Sequence, residues 1–281
     1  MEQEKSNEAL KAVIKNHWED ETCGIRYAVS QSRSDYFNEI EKARYRLEPY
    51  IMKLAEFPTS KGKTVLEIGV GAGTDFSNWT KHAGKAYGID LTRRGIDLTT
   101  ERLQIAGVDP ARYDLRTADV ENLPFSNDMF DLVWSWGVLH VPPRPDVAFA
   151  QVYRVLKPGG KLKAMVYDWF SWTGLMLWVY HYLLRGRPFV SLRTAVYEHL
   201  ESPGTNTYTP SEFRKLLEGV GYRNIRIYKE IGPGDLLDIE PSKRYRSPIM
   251  KLIWKLYPSW LVKLLGPRFG LYVCVECNKP V

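Results

Sequence analysis

With 281 residues, 44% of them hydrophobic, the chain is long enough to bury a substantial core, as one large domain or as a domain carrying a cap. Its 39 Lys and Arg against 33 Asp and Glu leave a formal charge of +6, a mild excess that permits an anionic substrate or a membrane surface and requires neither. Three cysteines exclude a disulfide framework; the polar start Met1-Glu2-Gln3-Glu4-Lys5-Ser6 lacks a signal peptide's apolar stretch, no run reaches the roughly 18 apolar residues of a membrane span, and a cytoplasmic setting is expected.

Residues 1–61 read as a helical extension, with Tyr36, Phe37, Ile40, Tyr45, Leu47, Ile51 and Leu54 at helical spacing and a break at Pro49. A loop over 21–27 carries Gly24 and Tyr27, an amphipathic ring that either closes over a ligand or simply packs. From residue 62 to 168, five strand-like runs alternate with helical patterns, the βαβ order of a parallel sheet. Helices are predicted over 75–82, 93–106 and 145–156. The first run, Val65-Leu66-Glu67-Ile68, leads into Gly69-Val70-Gly71-Ala72-Gly73 and then Thr74-Asp75. Without a Cβ, glycine lets a strand turn sharply and lets its backbone approach a ligand. Dinucleotide enzymes place G-x-G-x-x-G at such a turn. Here the third glycine comes one residue early, Thr74 stands where that pattern wants glycine, and Glu67 precedes the first glycine by two.

The second run, Lys85-Ala86-Tyr87-Gly88-Ile89-Asp90, ends in an acid at the distance where doubly wound proteins hold a ribose. A carboxylate can accept from both ribose hydroxyls. A third acid, Asp119, follows Leu115-Arg116-Thr117-Ala118. Leu123-Pro124-Phe125 then leads into Phe130-Asp131-Leu132-Val133-Trp134-Ser135-Trp136, and Arg154-Val155-Leu156-Lys157-Pro158-Gly159-Gly160-Lys161-Leu162 precedes the fifth strand. His140 follows the fourth strand at the sheet edge, as a general base or as a structural histidine. Tyr167 and Asp168 end the fifth strand, placed either to orient a substrate or merely to terminate the strand.

Past that strand the alternation is interrupted. An aromatic insertion covers about 169–208, Thr209 and Pro210 begin a helix, strands are predicted over 222–229 and 270–277, and a second insertion covers about 231–269. Within it, Ile249-Met250-Lys251-Leu252-Ile253-Trp254-Lys255-Leu256-Tyr257 mixes apolar and basic residues, as a membrane-surface helix or as one packed on its own domain. Lys243-Arg244-Tyr245-Arg246, with Arg185 and Arg187, offers an anion site or plain surface charge. Cys274-Val275-Glu276-Cys277 is read as strand cysteines, since a zinc site needs a second ligand pair and only Cys23 remains.

Motif order and residues over 62–161 resemble the class I S-adenosylmethionine (SAM)-dependent methyltransferases, in the subgroup of quinone-biosynthesis and small-molecule enzymes. The resemblance implies an α/β fold: a Rossmann-like, doubly wound, seven-stranded sheet with its last strand antiparallel, over residues 62–281. It implies SAM as cofactor, with Glu67 on the methionyl amine, Asp90 on the ribose, Asp119 and Val120 on the adenine. Tyr27, Gly69, Gly71, Gly73, Asp75, Leu91 and Trp136 complete the expected cofactor set, and His140, Tyr167 and Asp168 are the expected catalytic residues, with no metal. The sequence departs from amino-methylating DNA enzymes, because Val141-Pro142-Pro143-Arg144 lacks their Asn or Asp before Pro-Pro-Tyr. It departs from protein arginine methyltransferases, because Trp134-Ser135-Trp136-Gly137 lacks paired glutamates.

A small, partly apolar or anionic acceptor is therefore expected, with no nucleic acid. Contact with a membrane surface stays open without being favoured. Methyl transfer from a sulfonium mainly requires alignment and exclusion of water, so no catalytic triad is expected. The alternatives are a SAM-binding or membrane-associated non-catalytic protein and an NAD-dependent oxidoreductase.

Overall fold

The computed structural model describes residues 2–200, 205–239 and 257–281. Lys243 to Arg246 and the basic-apolar stretch at 249–256 lie outside the described residues.

Seven strands form one sheet: β1 (Thr64–Ile68), β2 (Lys85–Asp90), β3 (Tyr113–Thr117), β4 (Phe130–Trp136), β5 (Leu156–Tyr167), β6 (Arg223–Glu230) and β7 (Tyr272–Asn278). Their order is β3-β2-β1-β4-β5-β7-β6. The pairings among β1 to β5 are parallel, whereas β7 runs antiparallel to both β5 and β6. Alternation along the strands supplies two apolar faces. Leu66 and Ile68 of β1 join Phe149, Val152, Phe213 and Leu217 on one side. Val65 joins Phe76, Trp79, Ile96 and Leu103 on the other.

Those partners come from helices flanking the sheet. On one face lie α4 (Thr74–His82) and α5 (Arg93–Ile105), and on the other α6 (Pro145–Val155) and α9 (Pro210–Val220). The Thr209 cap holds as the sequence implies. Its side chain accepts from the Glu212 amide while the Glu212 side chain accepts from the Thr209 amide, and Pro210 sits in the first turn. Ahead of β1 run α1 (Glu2–Asp20), α2 (Arg33–Leu47) and α3 (Ile51–Ala55), with the interruption around Pro49 where proline demands it. Between β5 and α9 stand α7 (Trp172–His181) and α8 (Leu192–His199). Between β6 and β7 lie α10 (Pro233–Leu236) and a helix over Ser259–Leu265.

Cys274 and Cys277 are both buried in β7, three residues apart, and so face opposite sides of the sheet in different apolar clusters. A shared ligand pair is ruled out by that geometry. Because β1 connects to β2 on one side while β4 lies on its other side, the chain reverses direction at β1. Open α/β sheets bind ligands at such a point, beyond the carboxyl ends of the strands.

Candidate functional site

A cavity of about 270 Å³ opens at that reversal point. Its floor comes from the strand ends: Glu67 and the glycine turn after β1, Asp90 and Leu91 after β2, Asp119 and Val120 after β3, and Trp136 at the end of β4. The opposite wall is supplied by Lys11, Ile14 and Trp18 of α1 and by the loop that carries Arg26 and Tyr27.

The turn after β1 uses two glycines for different reasons. At Gly69 (φ 82°) an added Cβ would lie 2.3 Å from Val138 Cγ2. At Gly71 (φ 52°) nothing lies within 4 Å of such a Cβ. The missing atom at Gly71, which lines the cavity, therefore leaves space for a ligand and not for protein. Gly73 lies off the wall, capping α4 against Thr99. The Gly71 amide donates to Asp90 Oδ2 (2.9 Å), and Asp90 Oδ1 accepts from the amide (2.9 Å) and hydroxyl (2.6 Å) of Thr92. Asp90 is thus fixed in orientation by three donors before any ligand arrives.

Glu67 differs. It is buried, and its Oε2 has no hydrogen-bond partner. Burial first, and the negative charge of Asp75 next, push its carboxyl well above the ordinary glutamate range. A buried polar atom left without a partner calls for a missing one, and a cationic donor would satisfy it best.

Asp75 also lines the cavity, but protein donors occupy its carboxylate. Arg44 Nη2 donates at 2.7 Å, the Tyr45 hydroxyl at 3.1 Å and Trp134 Nε1 at 3.3 Å. Arg44 also pairs with Glu48, whose Oε1 accepts from Trp136 Nε1 at 2.8 Å. This chain ties α2 to α4 and fixes the indole of Trp136. Asp119 caps a short turn by accepting from the Glu121 amide (2.8 Å), and its Oδ2 takes a 2.7 Å contact from Lys11 Nζ. Lys11 reaches Glu121 Oε2 at 2.7 Å as well. Although burial opposes it, bonding to these two carboxylates holds the Lys11 ammonium above its ordinary range.

The predicted catalytic residues separate. Tyr167 lines the cavity, stacked on Tyr272 with 5.6 Å between ring centroids. His140 is buried and is not on the wall. After Gly137 (φ 76°) the chain turns Val138, Val141 and Pro142 toward the cavity and His140 inward, edge-on to Tyr167 at 4.6 Å. Neither ring nitrogen has a hydrogen-bond partner, and burial pushes the imidazole down to about 3, so it is neutral near pH 7. Asp168 is also off the wall, bonded to Lys229 Nζ at 2.6 Å and to the Phe170 amide at 2.8 Å. Of the expected cofactor set, Tyr27, Glu67, Gly69, Gly71, Asp75, Asp90, Leu91, Asp119, Val120 and Trp136 converge on the cavity.

Sequence reasoning missed Lys11, Arg44, Glu48 and Tyr272. The four-residue spacing of Arg44 and Glu48 on a helix was the available signal for a charge pair. Nothing local marks Lys11 or Tyr272.

Residues 66–164 match the family described as "Methyltransferase domain". A phthiotriol/phenolphthiotriol dimycocerosates methyltransferase from Mycobacterium ulcerans is 40% identical over 103 residues, covering 36% of this chain and 36% of that protein. A fatty-acid O-methyltransferase from Mycolicibacterium smegmatis is 34% identical over 131 residues, 46% of this chain and 44% of its own length. The matched segment thus spans less than half of these relatives. In three dimensions, a geranyl diphosphate C-methyltransferase from Streptomyces coelicolor A3(2) superposes with a TM-score of 0.62 at 15% identity, covering 96% of this chain and 98% of that one. The structural likeness extends to the fold.

Proposed function

We propose that the protein transfers a methyl group from SAM to a small, partly apolar acceptor, a reading supported by the match of residues 66–164 to the family described as "Methyltransferase domain". The observation that carries this reading is the unpartnered Oε2 of buried Glu67, in the same cavity as Gly71 and the oriented Asp90. The methionyl ammonium would satisfy Glu67, the ribose hydroxyls Asp90, and the adenine amino group Asp119 with Val120 beside the ring. The cofactor supplies an electrophilic methyl on a sulfonium, and the chain's own residues must align the acceptor with it and keep water out. Trp136, Tyr167 and Tyr272, with Met165 and Pro233, make the far end of the cavity aromatic and apolar. That lining supports an apolar acceptor, as do the lipid substrates in the names of the two curated relatives.

Tyr167 is the group placed to touch the acceptor. His140 supports the ring of Tyr167 from behind, as a positioning residue, and Asp168 anchors the end of β5 through Lys229. Isothermal titration with S-adenosylhomocysteine and, separately, NAD tests the cofactor. Transfer of labelled methyl to a panel of hydroxylated and carboxylated lipids tests the reaction. Tight NAD binding without S-adenosylhomocysteine binding would overturn the proposal, and cofactor binding without transfer to any acceptor would favour a non-catalytic binding protein.

The two turn glycines should part company on substitution. Gly69→Ala is expected to cost about 3 kcal/mol or more, combining left-handed strain with overlap on Val138. Gly71→Ala carries only the backbone strain, about 1–2 kcal/mol, yet its methyl projects into the cavity and should weaken cofactor binding. Thermal unfolding and calorimetric titration of the two variants check this. Equal binding by Gly71→Ala and wild type would remove Gly71 from the cofactor wall.

A further inference from the structure

The outer surface of the two insertions carries apolar side chains that nothing in the described chain covers. In the turn after α7, Leu184 is 70% exposed and Phe189 fully so, with Leu183 beside them. Arg185 and Arg187 lie between these residues, and their guanidiniums rest over the rings of Tyr180 (5.7 Å) and Tyr182 (5.5 Å). On the Ser259–Leu265 helix, Trp260 is 68% and Leu264 74% exposed, with exposed Lys263 between them. Among the described residues, no carboxylate lies within 4 Å of Arg185, Arg187 or Lys263.

The two insertions meet. The ring of Phe269, just after that helix, packs on Phe170 (5.5 Å) and Trp172 (5.8 Å) at the start of α7. Both α7 and the Ser259–Leu265 helix also contact α10, whose Pro233 lines the cavity. Thus α7, which leads into the exposed turn, and the Ser259–Leu265 helix both touch the element that lends Pro233 to the cavity.

We propose that this surface docks the protein on an anionic phospholipid bilayer. Leu184, Phe189, Trp260 and Leu264 enter the headgroup layer, while Arg185, Arg187 and Lys263 meet lipid phosphates. Apolar groups alternating with unpaired cations are the chemistry of an interfacial segment. A second copy of the chain is a poorer occupant, because a two-fold contact would set this cationic surface against its own counterpart. No described helix is long and apolar enough to cross a membrane. The inference goes beyond methyl transfer and does not depend on it; where both hold, the acceptor reaches the cavity from the bilayer.

Co-sedimentation of the full chain with phosphatidylcholine vesicles, with and without phosphatidylglycerol, tests the inference. Binding should require phosphatidylglycerol and weaken as salt rises. Arg185→Glu combined with Arg187→Glu should weaken it by at least about 25-fold, taking roughly fivefold for each arginine lost. Leu184→Asp combined with Phe189→Asp should weaken it at every salt concentration. None of the four side chains lines the cavity, so S-adenosylhomocysteine affinity should stay at the wild-type value, which separates this test from that of the cofactor, while the arginine variant gives up only its two ring contacts in stability. Wild-type protein remaining in the supernatant, or both double variants sedimenting like wild type, would overturn the inference. So would a wild-type dimer, formed without vesicles, that Leu184→Asp with Phe189→Asp disperses, since the face would then join copies of the chain.

Discussion

Asp90→Ala is expected to reduce S-adenosylhomocysteine affinity on the order of a hundredfold, corresponding to about 3 kcal/mol for two hydrogen bonds to a charged acceptor. The effect should be large because Asp90 is already held by the Gly71 amide and by both donors of Thr92, so little entropy is lost on binding. The same bonds mean that the variant also frees the glycine turn and the cap of α5, and its unfolding temperature should fall. Asp90→Asn retains an oxygen for Thr92 but sets its NH2 against the Gly71 amide, so its unfolding temperature should fall less than that of Asp90→Ala, and its affinity should be intermediate. An unchanged affinity in Asp90→Ala would remove the ribose assignment.

Glu67→Gln should move stability and binding in opposite directions. In the ligand-free protein, burial raises the Glu67 carboxyl well above its ordinary value of 4.5. A raised folded-state value means that its contribution to stability is complete below 4.5 and is lost as pH rises through the elevated value. Glutamine carries no charge, so the variant should unfold later than wild type at alkaline pH, with about 2–4 °C of gain for each kcal/mol recovered. Binding should weaken by roughly 10- to 100-fold, because a neutral amide replaces the ionic partner of the ammonium. Cofactor binding should also release a proton in wild type at pH values where free Glu67 is protonated. Titration in buffers of different ionisation enthalpy reads that proton directly. A variant that is less stable than wild type and binds equally well would sink the assignment.

Much of the sheet was legible because its central strands are apolar runs that close on an acid or a glycine turn. Glu67, Asp90 and Asp119 could be placed from the chain alone, since each stands at or near the end of a strand-like run and the parallel order sends all three to one edge. His140 and Asp168 show where that reasoning stops. Position after a strand fixes the edge, whereas the direction of a side chain depends on one dihedral, here the left-handed Gly137 and the reach of Lys229. Lys11 was invisible for another reason. It stands 108 residues from Asp119, and nothing in the local pattern of a polar helix announces so distant a partner. Asp75 was legible as a residue of the wall, but the three donors that occupy it come from α2 and β4, beyond any local window.

The position of β7 also bears on the order in which the nascent chain can finish folding. Among the described strands β6 meets the rest of the sheet only through β7, so it has no central seat until residues 272–278 have been synthesised, whereas α9 already has α6 to pack on. The earlier half, β1 to β5, can assemble during translation through its own parallel contacts. Tyr272 enters with β7 and stacks on Tyr167 in the same event. The Tyr167–Tyr272 side of the cavity is consequently the last to form, and its formation coincides with closure of the sheet.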